Sequence, residues 1–169
     1  MMMMRLFRLA LALYLAVILQ TTLAPAVQIL GVRPDFLFVL VVLVAFHEGP
    51  AGGALCGFVA GLFVDLNSST ALGITSLANS VLAFGIGSVA DRLVRSSVGT
   101  RFFIALVAVA LRDQIVFVLL PSVGAAEAFR LFFVSALPGG LYTAILAPLV
   151  MGLSERVIHW EPERTRGLR

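Results

Sequence analysis

The stretch GPAGGALCGFVAGLFVDL, residues 49–66, decides how the rest of the chain is read. Gly49, Gly53, Gly57 and Gly61 recur every four residues, and Asp65 continues the series. Positions i and i+4 stack on one face of an α-helix. The spacing predicts a helix over residues 51–66 with a smooth groove along one side and a carboxylate at the end of it. Such a groove lets another helix backbone come close, which is how small residues pack helices in a bilayer. Just upstream, His47-Glu48-Gly49-Pro50 breaks the pattern, and the uninterrupted apolar run from Phe36 to Phe46 comes before it.

Composition puts this stretch in a membrane. Of 169 residues, 60% are apolar and 12% charged, none is lysine, and the mean hydropathy is +1.06. A soluble domain carries roughly 45–50% apolar and about 25% charged residues. The chain is therefore read as an all-α integral membrane protein. The lone cysteine, Cys56, excludes an intramolecular disulfide, and with two histidines it is too little for a four-ligand zinc site. No Gly-rich nucleotide loop, GxSxG elbow or HExxH pair occurs. No metal and no cofactor are expected. The net charge of +3 reports topology rather than a nucleic-acid partner.

Outward from the glycine stretch, six apolar blocks predict helices over about 6–24, 34–47, 51–66, 71–90, 102–120 and 129–153. They make one compact six-helix transmembrane domain, residues 1–154, followed by a short tail, 155–169, in which Trp160 suits an interfacial anchor. Crossing ~30 Å of hydrocarbon takes about 20 helical residues. The run from Phe36 to Phe46 covers only ~16 Å. It must borrow Arg33 to Asp35 and His47, lie deep in the protein, or form a re-entrant hairpin with the glycine block, and the parity of the following spans is the same in each case. The first block is longer than the core of a cleaved leader, roughly 7–15 residues, and is read as a span.

With six crossings, Arg5, Arg8, Arg92, Arg95, Arg101, Arg156, Arg164, Arg166 and Arg169 share the side of the termini. Only Arg33 and Arg130 fall opposite, and Arg112 lies within a span. That asymmetry places both termini in the cytoplasm. Arg92, Arg95 and Arg101 could also meet anionic lipid.

The charges inside the spans are few. Arg112-Asp113 falls ~16 Å into the fifth block, where an arginine costs at least about 2.5 kcal/mol and must be paired against protein. Arg33-Pro34-Asp35 opens the second block, with Pro34 suited to a first turn and Asp35 to the positive helix end. With Asp65 at the outer end of the third block, one buried polar cluster of Arg33, Asp35, Asp65, Arg112 and Asp113 is expected in the outer half of the membrane. The plainer alternative is a network that only sets helix register, with the glycines packing helices inside the fold and Asp65 capping. Thr75, Ser76, Asn79 and Ser80 in the fourth block read as polar glue between helices. Ala136, Gly140, Ala144, Pro148 and Gly152 form a second small-residue stripe, in a helix bent near Pro138-Gly139-Gly140.

Four pieces in order carry a family resemblance: Arg33-Pro34-Asp35-Phe36-Leu37, Glu48-Gly49-Pro50, the segment from Gly53 to Leu66, and Leu72-Gly73. Over roughly residues 30–92 the series resembles the MreD family of rod-shape-determining proteins of the bacterial inner membrane. The resemblance implies a non-enzymatic scaffold of the cell-elongation machinery that supports peptidoglycan synthesis. It also implies MreC as partner, with MreB, RodA and RodA's transpeptidase partner around it. It further implies a fold similar to the S components of energy-coupling-factor transporters. Arg33, Pro34, Asp35, Gly53, Gly57, Gly61 and Asp65 match the family pattern; Arg112 and Asp113 rest on the residues alone.

On this reading the groove of Gly53, Gly57 and Gly61, ending in Asp65, seats either a partner's transmembrane helix or a helix of the chain itself. Two other classes compete. A small-molecule-binding subunit of an energy-coupling-factor-type transporter needs an outward cavity lined by Asn79, Asp65 and Arg112. A membrane hydrolase needs Asp65 and Asp113 as an acid pair. The scaffold ranks first.

Overall fold

A helix that is apolar all the way round has no face to give to water and ends up surrounded by other helices. Phe36–Phe46 is such a segment, and each of its eleven residues is buried. The computed structural model of the chain describes residues 2–28, 32–67, 72–93 and 98–157. They form α1 (Met2–Ile18), a π-helical turn (Leu19–Leu23), α2 (Ala24–Ala26), α3 (Phe36–Asn67), α4 (Ile74–Leu93) and α5 (Val98–Leu119). These are followed by α6 (Ala125–Leu131), a second π-helical turn (Phe132–Ala136) and α7 (Leu137–Val157).

The helices run on through both π turns, so the described residues make five continuous helical stretches where six separate helices were expected. The difference lies in α3, which joins the second and third apolar blocks. Gly49 sits inside it at φ 76° and ψ −166°, a conformation essentially closed to residues with a Cβ, and Pro50 follows. The two limbs fold back on each other there. A Cβ built on Gly53 would lie 2.7 Å from the Cβ of Ala45. In a straight helix those residues stand about 12 Å apart along the axis. The short limb is thereby buried among the other helices.

Each π turn is followed, one residue on, by a proline. Ala24 N–H bonds to Leu19 O just before Pro25, and Leu137 N–H bonds to Phe132 O just before Pro138. Proline cannot donate to the preceding turn and its ring crowds it, and the wider turn absorbs both effects. The bend expected at Pro138-Gly139-Gly140 is thus taken up ahead of the proline, in a helix that already begins at Ala125.

Around the short limb of α3 pack α1 and α7; α4 lies along the long limb, and α5 pairs with α7. Ala136 and Ala144 of the second small-residue stripe are fully buried, and a Cβ on Gly140 would lie 3.2 Å from Leu106 O of α5. Among the described residues, four helical segments are long and apolar enough to cross a membrane: Leu9–Ala26, Phe36–Asn67, Phe102–Leu119 and Ala125–Pro148. Ile74–Ala90 is a shorter apolar helix. The tail beyond Val157, Arg95, and the side chains of Arg5, Arg8, Arg92, Arg101 and Arg156 lie outside what is described.

Candidate functional site

The first turn of a helix exposes backbone N–H groups that nothing in the helix can satisfy. At the start of α3 its own cap and side chains of two other segments meet that need. Asp35 Oδ1 accepts the Phe38 N–H at 2.8 Å, the geometry of an N-cap reaching its third helical residue. Gln20 Oε1, from the first π turn, accepts the Phe36 N–H at 2.9 Å, and Gln20 Nε2 donates to Pro34 O at 3.4 Å. The Asp35 N–H donates to Thr143 Oγ1 of α7 at 3.0 Å. Next to it, the Tyr142 hydroxyl donates to Val27 O at 2.6 Å.

The other oxygen of Asp35 faces α5. Arg112 Nη2 lies 2.5 Å from Asp35 Oδ2, and Arg112 Nε lies 2.9 Å from Asp113 Oδ1. The Nε–H does not point along the second line, so that contact is an ion pair without a hydrogen bond. The guanidinium carbon stands 5.1 Å from the ring centroid of Phe38, adding a cation–π contact one turn into α3. Asp113 turns toward α7, where a Cβ on Gly139 would lie 4.0 Å from its Oδ2. One buried guanidinium thus ties α3, α5 and, through Asp113 and Thr143, α7.

The groove of α3 is occupied by the chain's own α4. A Cβ on Gly57 would lie 2.7 Å from Asn79 O, and one on Gly53 would lie 3.0 Å from Ala83 O. Gly61 meets the backbone of Thr75 and Ser76, and Gly87 of α4 rests on the Gly49-Pro50 turn. Ser80 Oγ crosses the same interface to Ala54 O at 3.0 Å. At the end of the groove Asp65, 1% exposed, receives the start of α4: the N–H groups of Gly73 (3.0 Å), Thr75 (3.2 Å) and Ser76 (3.0 Å), and the Ser76 hydroxyl (2.7 Å). Gly73 makes this possible with φ 96°, a left-handed turn that presents its N–H to the carboxylate.

A sequence model of the family described as rod shape-determining protein MreD matches residues 2–157. The chain belongs to the MreD family. No curated protein and no solved structure matches it. The match extends the resemblance from residues 30–92 to nearly all of the described chain, so α5 and α7, with Arg112, Asp113 and Thr143, fall inside the family region.

Within this MreD-family fold the expected five-residue cluster divides. Asp35, Arg112 and Asp113 come together. Asp65 does not join them, because the Arg112 ion pairs go to Asp35 and Asp113 while Asp65 is held by the first turn of α4. Arg33 is exposed and donates from Nε to Gln28 Oε1 at 2.9 Å. A charge two residues before the helix points out of the bundle, whereas the cap residue points along it. Gln20, Thr143 and Tyr142 belong to the site and were not singled out in the sequence. A polar side chain just before a proline-broken turn is the one signal that marks Gln20.

A transporter subunit would need an outward cavity lined by Asn79, Asp65 and Arg112. An open crevice of about 500 Å³ is lined by Phe58, Leu72, Gly73, Ile74, Leu77, Ser80 and Leu119, without Asn79, Asp65 or Arg112. Asn79 itself is buried, and among the described residues its Oδ1 has no hydrogen-bond partner.

Proposed function

We propose that the chain, whose family has a role in rod-shape determination and whose apolar helices fit a membrane protein, acts as a non-enzymatic scaffold of the bacterial inner membrane. It binds MreC and supports peptidoglycan synthesis, with MreB, RodA and RodA's transpeptidase partner in the same assembly. One observation carries this reading: the buried charges are spent on the bundle itself. Asp35 caps α3, Asp65 caps α4, and Arg112 ties the helices together. A fold braced in this way presents rigid helix faces to the bilayer.

In the proposed topology the limbs of α3 cross the membrane as two spans, making six in all with both termini cytoplasmic. The bundle then has the architecture of an energy-coupling-factor S component. Affinity purification of the tagged chain from native membranes in mild detergent, with mass spectrometry, tests the function. Recovery of MreC or of the cell-wall synthases is the expected result. Recovery of transporter ATPase subunits with a small molecule, and no wall-synthesis protein, would overturn it.

A further inference from the structure

We draw no further inference here: the strongest candidate, the surplus carboxylate of Asp113 where one guanidinium meets two acids at the junction of α3, α5 and α7, belongs to the site already described, and no second group in the structure points to a ligand for it.

Discussion

Arg112 Nη2 lies 2.5 Å from Asp35 Oδ2, and this pair joins the start of α3 to the interior of α5. Asp35 therefore has two tasks on its two oxygens, capping its own helix and balancing a buried guanidinium.

Breaking the pair from each side should have unequal effects. Arg112→Met leaves two half-buried carboxylates without a cation, and losing one partner of a buried pair costs about 3–5 kcal/mol. Asp35→Asn keeps a good N-cap and leaves Arg112 beside Asp113, so it should be clearly milder. Thermal unfolding in detergent and the abundance of each variant in membranes measure this. Equal losses would mean that Asp35 matters for its charge alone.

The glycine faces differ in what they touch. Gly57→Leu and Gly61→Ala place side-chain atoms into the α4 backbone and should destabilise the bundle, with overpacking by a single methyl costing about 1–3 kcal/mol. Gly85 has nothing within 4 Å of its Cβ position and lies on the exposed side of α4. Gly85→Ala should leave stability unchanged or raise it by about 0.5–1 kcal/mol through helix propensity. The same unfolding assay separates them.

Asp65 and Arg112 belong to two different polar sites. Asp65→Ala leaves several backbone N–H groups at the start of α4 without an acceptor, at about 1–3 kcal/mol for a buried orphaned group. Combined with Arg112→Ala, the losses should add within about 0.5 kcal/mol, as for sites with no shared partner. A coupling well above that in a double-mutant cycle would mean that the two sites are one.

The reversal at Gly49 has a topological consequence. In a Cys56→Ala background, Gly124→Cys should react with a membrane-impermeant maleimide from outside intact cells. Ala51→Cys should react only after the cytoplasmic side is opened. Both positions are exposed, so access is set by sidedness. Labelling of both from outside would remove the six-crossing proposal.

Much of this protein was legible in its sequence because hydropathy and helical period are local properties. The composition and the lengths of the apolar blocks put the chain in a bilayer. The four-residue glycine period marked the tightest helix contact, and the pairing demanded by a central arginine marked Arg112. Eleven apolar residues, too few to span alone, left the Phe36–Phe46 segment to borrow its flanks, lie deep or turn back as a hairpin, and the fold shows it buried.

What only the tertiary structure decided was which helix meets which. The glycine groove could have received any backbone, and α4 fills it because Ser76, Ser80, Ala83 and Gly87 offer a matching row of small residues. Asp65 and Asp35 look alike in sequence, each an acid beside an apolar helix. Their fates diverge because one ends its helix against a turn of free N–H groups, while the other begins its helix beside a guanidinium carried by α5. Gln20 and Thr143 enter the site from residues 15 and 108 positions away from Asp35, a separation that no local period encodes. Spacing along the chain specifies the faces of helices; only their packing in three dimensions selects the partner of each face.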